Sequence, residues 1–424
     1  SIIWPARISA IRNNIGACVM RTIRCGLTRS WSGWIRSCTS HYRKASRGFP
    51  VLNGVHLTLL AGPVVPFPVP QPVLDALTEV QVTSATGTPG GFQLQLTIQN
   101  KSPLQQAFLV AATQTPMMRV ILVATINLIP HVLMDGVITN QEITSGDKPG
   151  ESTLTITGED LTKVMDLQAF DGLPFPAMPA NLRVTAILAK YAVFGVIPLA
   201  VPPIGFDVPI PTMRIPSQQG TDLNYILQLA EAAGYVFYVD PGPVPGTNTA
   251  YWGPQLKVGI PQPALNVDMD FDRNVESLSF QFNSTKKDLP IVMIHNALTK
   301  VPIPIPIPDI NPLQPPLGLV GPPVTKLSML KATGKLSAPE ALNEGLKASS
   351  ESMDAVTGSG SLDVARYGRL LTARGLVGVR GAGLAFDGLY YVDSVTTTIK
   401  RGSCKQSFRL TRNGLVSITP LVPV

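Results

Sequence analysis

The chain has 424 residues, of which 45% are apolar and only 14% are charged, against roughly 25% charged in an ordinary soluble domain. This length allows two or three domains with cores of their own, and the low charge predicts a surface largely covered by partners or by other copies of the chain. The 40 prolines and 36 glycines argue against an all-helical fold and favour strands with many connections.

Residues 1–48 contain nine basic residues and no acid, which leaves 25 basic and 27 acidic residues for the rest of the chain. The net charge of +7 therefore gives no basic face, and we predict no nucleic-acid readout. An acid-free, Arg-rich segment suits a targeting peptide or a basic arm that grips something acidic. Because no apolar periodicity persists in it, the favoured interpretation is a leader that is disordered or not native and is dispensable for folding.

Uncharged stretches at 51–74 and 191–206 look like candidate membrane spans, but prolines interrupt both. A spanning helix needs about 20 apolar residues with intact backbone bonds, so no membrane insertion is predicted. The cysteines form no Cys-x-x-Cys pair, so no zinc site is predicted. Cys404 lies within a strand pattern and is predicted to be a small buried hydrophobe.

Residues 49–179 alternate with period two in strand after strand, separated by glycines and ending in a short helix near 160–167. The segment MRVILVATI is an almost continuous apolar run, which suits a strand buried on both faces. Six or so antiparallel strands in this region predict a barrel or a sandwich. Asn127-Leu128 stands at a turn that would favour Asn-Gly.

Residues 180–266 predict a small α+β insert. TDLNYILQLAEAAG is an amphipathic helix with Thr221 or Asp222 as N-cap and Gly234 as the stop. Its predicted apolar stripe is Leu223, Ile226, Leu227 and Ala230.

Residues 267–424 return to strands and include a proline-rich loop, 301–323, that cannot join the centre of a sheet. A helix at 338–354 is predicted from Ser337 and Glu340, which form a capping box. The chain then closes on the hairpin DGLYYVDSVTTTIKRGSCKQSFRLTRNGL.

The segment 135–161 resembles that hairpin, which spans 387–415. Both segments start Asp-Gly, hold a β-rich arm, turn at a charge with glycine, and return through Leu-Thr: Leu154-Thr155 in one and Leu410-Thr411 in the other. A duplicated barrel would give two hairpins in matching positions, whereas chance similarity would place them without correspondence. If both lay in one continuous sheet, or in folds that cannot be overlaid, the repeat interpretation would be wrong and the tube-adaptor argument would lose its independent support.

The segments TDLNYILQLAEAAGYVFYVDPG, RYGRLLTARGLVGVRGAG and the final hairpin resemble the late-control protein D family of phage tails. This is the tail hub family of contractile injection systems, related to the N-terminal hub part of type VI spike proteins. The resemblance implies a homotrimer with two tube-like antiparallel β-barrels per chain, the first at 49–179 and the second at 267–424, plus the α+β domain. It also implies contacts with a trimeric spike protein, a tail tube protein and baseplate wedge proteins.

Residue types suited to catalysis are few. His56 and His131 lie in strand patterns and are predicted to be wall residues, Glu159-Asp160 precedes a helix whose dipole favours acids, and Asp135 and Asp387 are interpreted as turn residues. Lys400, Arg401 and Lys405 are interpreted as solvated turn charges.

We therefore predict no enzyme, no catalytic residues, no cofactor and no metal. The favoured function is a baseplate hub in a virion tail or injection machine, assembled in the bacterial cytoplasm; the alternative is a secreted carbohydrate-binding or carbohydrate-active β-protein. Because the sequence ends just after the last hairpin, the spike is expected to be a separate protein.

Overall fold

The computed structural model describes residues 55–99, 117–145, 151–203, 209–212, 215–268, 273–295, 302–307, 314–330 and 338–419. The basic leader 1–48, its cysteines and Ser337 lie outside these ranges. Strands account for 51% and helices for 17% of the structure. The predicted fold class, mainly β with antiparallel sheets and a small α+β part, is confirmed.

The elements are as follows. The strands are β1 (His56–Gly62), β2 (Phe67–Pro68), β3 (Leu77–Ala85), β4 (Thr88–Gln99), β5 (Arg119–Ile126), β6 (Ile129–Ser145), β7 (Glu151–Asp160), β8 (Val196–Ala200), β9 (Val236–Pro241), β10 (Asn248–Gly253), β11 (Gln262–Asn266), β12 (Val275–Phe282), β13 (Asp288–His295), β14 (Pro302–Pro306), β15 (Gly318–Val320), β16 (Lys326–Met329), β17 (Val356–Asp363), β18 (Leu376–Arg380), β19 (Gly388–Lys400), β20 (Ser403–Arg412) and β21 (Leu415–Ser417). The helices are α1 (Gln71–Ala76), α2 (Thr162–Met165), α3 (Ala180–Ala189), α4 (Asp222–Ala233), α5 (Ala338–Met353) and α6 (Val364–Tyr367).

Thirteen strands form one large sheet, and they divide into two sets with the same order. The first set runs β3-β4-β7-β6-β5-β1, and the second runs β12-β17-β20-β19-β18-β11. The two sets are joined where β3 pairs antiparallel with β19. They differ at the last position, because β1 is antiparallel to β5 whereas β11 is parallel to β18.

Irregularities in the ladders support the correspondence between the sets. The β3–β4 register shifts between Leu77 and Glu79, and the β12–β17 register shifts between Val275 and Ser277. A second pair of bulges lies in the hairpins, at Thr139 of β6 and at Asp393 of β19. A bulge inserts one residue into a strand at a defined place, so matching bulges in matching strands indicate a duplicated architecture.

The two hairpins singled out in the sequence are β6–β7 and β19–β20, and they occupy the same positions in the two sets. Both lie in one continuous sheet, so the repeat as inferred from the sequence is wrong, and the likeness of the hairpins gives the tube-adaptor argument no independent support. The residue equivalence inferred from the sequence is also wrong: with the bulges aligned, Asn140 corresponds to Ser394 and Thr157 to Arg409. The duplication therefore rests on strand order and bulges. No ladder among the described residues closes either set into a barrel.

The interior face of the large sheet forms one apolar core that spans both sets. Residues in β3, β4, β7, β19 and β20 alternate between buried apolar and partly exposed polar side chains, as expected for a strand with one wet face. In β5 nearly every side chain is buried, which confirms the prediction from its continuous apolar run.

A second core lies between α3, α4 and the three-stranded sheet β8-β10-β9. Helix α4 begins after Thr221, whose side chain accepts a hydrogen bond from Asn224 N, and ends at Gly234 with φ +66°, as predicted. Its buried stripe is rotated from the predicted one: Ile226 and Ala230 are buried, but Leu227 is exposed. This core also includes Met165 and Phe175, while β11 belongs to the large sheet. The domain limits 180–266 stay a prediction.

A third sheet, β14-β13-β16, packs against α5. Its strands and this helix come between β12 and β17 in the sequence. Helix α5 confirms the helix predicted at 338–354. The proline-rich strand β14 lies at the sheet edge, where Ile303 and Ile305 alternate with prolines opposite β13. Since proline has no N–H to donate, an edge position is the one a sheet can offer it. Farther along this loop, β15 pairs with β21.

Candidate functional surface on the large sheet

The exterior face of the large sheet is polar across both strand sets. Residues that pair across neighbouring strands lie on the same side of a sheet, and one such row crosses seven strands. It comprises Asp363, Lys405, Thr398, Gln81, Gln93, Thr157 and Asn140. A neighbouring row comprises Ser277, Ser361, Ser407, Thr396 and Thr83. We call this side of the sheet the polar face.

Hydroxyl groups bond across the strands of the polar face. The Oγ atoms of Ser277 and Ser361 lie 2.9 Å apart, and those of Thr83 and Thr396 lie 3.1 Å apart. The second contact spans the joint between the two sets, so the polar face is continuous across it. Such a surface offers short, uncharged hydrogen-bonding groups and little apolar area.

Charges on the polar face are neutralised in pairs. Lys405 Nζ lies 2.6 Å from Glu276 Oε1, Lys400 Nζ lies 3.2 Å from Glu79 Oε2, and Arg409 Nε lies 4.0 Å from Asp393 Oδ2. The hydrogen bond from Lys405 to Glu276 raises the pKa of this lysine, whereas burial raises the pKa of Asp393. Glu79 and Asp393 lie on neighbouring strands, and Glu276 lies two strands away on β12, so each of these three cations has an acid beside it.

These contacts correct the interpretation of the turn charges. Lys400 and Lys405 pair with acids on β3 and β12, and Arg401 donates to the carbonyl of Asp75. They are exposed, as expected for a turn, but each is held by a partner. Asp387 accepts a hydrogen bond from Ala382 N at 2.7 Å and is a turn residue, as predicted.

Asp135 is not a turn residue, and this prediction is wrong. It lies within β6, fully buried, and its carboxylate receives hydrogen bonds from Arg119 Nε at 2.7 Å and Nη2 at 2.6 Å. Arg119 also donates to the carbonyl of Phe194, and Asn248 donates to Asp135 Oδ2 at 2.8 Å. This buried pair ties β5 and β6 to the insert sheet. The signal in the sequence was one opposite charge in each of two adjacent apolar strands.

Asp160 ends β7 and accepts hydrogen bonds from Gly90 N at 2.6 Å and from Thr162 N at 3.0 Å. Burial raises its pKa although these bonds oppose the shift. The carboxylate thus links β7, the start of β4 and helix α2. Glu159, beside it, faces outward and lies 3.8 Å from Lys163, so the two acids do not form a catalytic pair.

The remaining candidates are dispersed. His56 is exposed on β1, and His131 lines a cavity of about 540 Å³ that also reaches Asp240 and Arg374. Cys404 is buried in the large core, as predicted, and burial raises its pKa to about 12.

In the ranges that the structure describes, no group of His, Cys, Asp and Glu side chains could hold a metal ion. Within the same ranges, no helix has the length and apolar character needed to cross a membrane.

Solved structures with this fold come from phage tails and type VI secretion. A tail protein from Neisseria meningitidis MC58 aligns with a TM-score of 0.57 and 13% identity, over 86% of this chain and 98% of that one. The 43 kDa tail protein of prophage MuSo2 from Shewanella oneidensis gives 0.57 and 14%, over 85% and 99%.

An E. coli component of the type VI secretion system, described as structurally similar to T4 bacteriophage tail proteins, gives a TM-score of 0.50 and 12% identity, over 82% of this chain and 76% of that one. No protein-family model matches the chain, and no curated protein matches it. At these identities the likeness confirms the resemblance to tail hub proteins at the level of the fold.

Proposed function

We propose that this protein is a structural hub of a phage tail or contractile injection machine, acting as a homotrimer that joins a sixfold tail tube to a trimeric spike. The fold is shared with two phage tail proteins over nearly their whole length. The same proposal includes three further points. The protein is not an enzyme, it is assembled in the bacterial cytoplasm, and it lies in the tail or baseplate in contact with wedge proteins.

The observation that carries the proposal is the duplicated strand order. A sixfold tube end offers six equivalent contacts, and a threefold spike offers three. Three chains satisfy both when each presents two similar surfaces to the tube, and the matching strand orders of the sets beginning at β3 and β12 support this arrangement. In this arrangement the two sets are the two tube-like domains, and the α+β insert lies between them in the sequence.

The polar face has the chemistry expected of a tube lumen. Cargo must slide past this surface without being held, which disfavours apolar patches and unpaired charges. Rows of Ser, Thr and Gln, with cations such as Lys405 neutralised by Glu276, meet this requirement. We therefore assign the polar face to the lumen, and the opposite side of the sheet to the core.

The mass of the assembly tests this function. Native mass spectrometry or mass photometry of the purified full chain is expected to give a species of three chains. Mixed with isolated tail tubes, the protein is expected to sediment with them. A chain that is monomeric at micromolar concentration and binds neither tube nor spike would overturn the hub assignment.

A further inference from the structure

Strand β6 has an edge that is only half used. Over Ile129–Val137 this edge pairs with β5. Beyond the bulge at Thr139, residues 140–145 pair with β7 on the other side, and no described strand pairs with their outer edge. Strand β19 is the counterpart of β6, and both parts of its corresponding edge are paired with other strands. Its first part pairs with β18, and Ser394–Lys400 pairs with β3.

Strand β12, the counterpart of β3, has a second unused edge. It pairs with β17 and, among the described strands, with nothing on its outer side. Its eight residues, VESLSFQF, contain no proline and no lysine, although these are devices that normally protect an edge strand from pairing. Its inward side chains Leu278 and Phe280 are only half-buried. From Ser277 onward the edge is thus open, free of register shifts and incompletely covered.

We propose that β12 of one copy pairs antiparallel with residues 140–145 of β6 in the next copy, repeating between chains the joint that β3 and β19 form within one chain. The inference rests on the proposed homotrimer and specifies which surfaces close it. A cyclic trimer needs two different, complementary surfaces on each chain. These two edges are complementary because their counterparts already pair in the same molecule.

The intrachain joint fixes the register. Thr396 pairs with Thr83, and Thr397 pairs with Val82. With the bulges aligned, these pairs correspond to Glu142 with Gln281 and to Ile143 with Phe280.

The side chains agree with this register. Ile143 is 42% exposed in the single chain, and opposite Phe280 it would turn toward the core, as Thr397 and Val82 do. Glu142 and Gln281 would extend the polar face, with Thr144 beside Ser279. A shift by one residue would set Ile143 against polar side chains, since alternate residues point to opposite faces.

Disulfide trapping tests the register. The Oγ atoms of Thr83 and Thr396 lie 3.1 Å apart, and directly opposed residues of antiparallel strands have Cα atoms about 4.5–5.5 Å apart, within disulfide range. In full-length chain with Cys18, Cys25 and Cys38 changed to serine, the double variant Glu142→Cys/Gln281→Cys is expected to form covalent dimers and trimers under mild oxidation. Thr83→Cys/Thr396→Cys, the matched control, is expected to form its disulfide within one chain. Glu142→Cys/Ser277→Cys, about four residues or 13 Å out of register, is expected to stay monomeric on a non-reducing gel.

Three results have distinct meanings. A native trimer that forms no Glu142→Cys/Gln281→Cys crosslink, while the intrachain control does, overturns the strand pairing and leaves the hub proposal standing. A native monomer overturns the hub proposal itself. Crosslinking of the out-of-register pair as strongly as the designed one overturns the register. As a second measurement, Ile143→Lys is expected to shift the native mass from trimer to monomer while the circular-dichroism spectrum stays that of the folded chain.

Discussion

The buried pair Arg119–Asp135 shows how one residue pair fixes the position of a whole element. Removing two charges from water costs about as much as their attraction returns, so such a pair adds little stability by itself. Its value lies in geometry, because Arg119 reaches Phe194 and Asn248 reaches Asp135 from the insert. The pair therefore orients the α+β insert on the first strand set.

Breaking this pair is expected to be costly. Arg119→Met leaves a buried carboxylate without its cation, and we expect a loss of about 3–5 kcal/mol in the free energy of unfolding, measured by urea denaturation. The matched control is Lys163→Met, since Lys163 is about a third exposed and lies 3.8 Å from Glu159 and Asp166. It should change stability by less than about 0.5 kcal/mol. An equal loss in both variants would contradict the structural role of Arg119.

Asp160 gives a prediction for pH. Burial raises its pKa above the ordinary value of 3.8, so its contribution to stability is complete below that pH and is lost as the pH rises through the folded-state value. Asp160→Asn cannot ionise and keeps an oxygen that accepts from Gly90 N. The melting temperature of the variant relative to the wild type is expected to rise between pH 4 and pH 7.5. A constant difference across that range would show that the carboxylate is not destabilised by burial.

At the scale of elements, the turn between β5 and β6 is strained. Asn127 and Leu128 have φ of +49° and +67°, and Leu128 is 76% exposed. A two-residue hairpin turn of this type favours Asn-Gly, and a left-handed non-glycine residue costs about 1 kcal/mol or more.

Leu128→Gly is therefore expected to raise the free energy of unfolding by about 1 kcal/mol. Leu128→Ala removes the same exposed side chain but keeps a Cβ in the left-handed region, so it should give no such gain. Both are measured by thermal unfolding. If alanine stabilises as much as glycine, exposure of the leucine and not backbone strain is the cause.

Cross-strand packing in the first set depends on a glycine. A Cβ on Gly158 would lie 2.3 Å from the Phe92 ring, whereas a Cβ on Gly91 would meet its nearest atom at 3.6 Å. Gly158→Ala is expected to destabilise by about 1–3 kcal/mol through overpacking, and Gly91→Ala by clearly less. Chemical denaturation of both variants decides this, and equal effects would rule out the contact with the ring.

The sequence predicted elements whose signal is local. Alternation identified the strands, and the cap at Thr221 with the stop at Gly234 identified α4. The face of α4 was predicted less well, because burial of Tyr225 and exposure of Leu227 are decided by what packs on the helix. The duplication was detected, but with the wrong residues matched, since a bulge shifts every later residue and leaves no mark in composition. Asp135 was missed because its partner Arg119 becomes adjacent only when β5 pairs with β6.

For the whole molecule, the large sheet explains the unusual composition. A chain with 14% charged residues would be expected to associate, and here the uncharged residues form the rows of the polar face as well as the core. A surface of hydroxyls and amides stays hydrated without charge. This is the chemistry that the proposed lumen requires.

The last prediction tests this neutrality. Glu79→Gln, Glu276→Gln and Asp393→Asn together would leave Lys400, Lys405 and Arg409 on the polar face without the acids that now lie beside them. Because unpaired cations bind phosphates with release of counterions, the triple variant is expected to bind labelled single-stranded DNA about tenfold more tightly than the wild type at 50 mM salt and to lose this gain by 200 mM. Fluorescence anisotropy measures both affinities.

The matched control for this variant removes the cations as well, by adding Lys400→Gln, Lys405→Gln and Arg409→Gln, and it should bind DNA like the wild type. The basic leader is present in all three proteins, so only the differences between them report on the polar face. A triple variant that binds no more DNA than the wild type would mean that the face is covered in the assembly and is not the wall of a lumen.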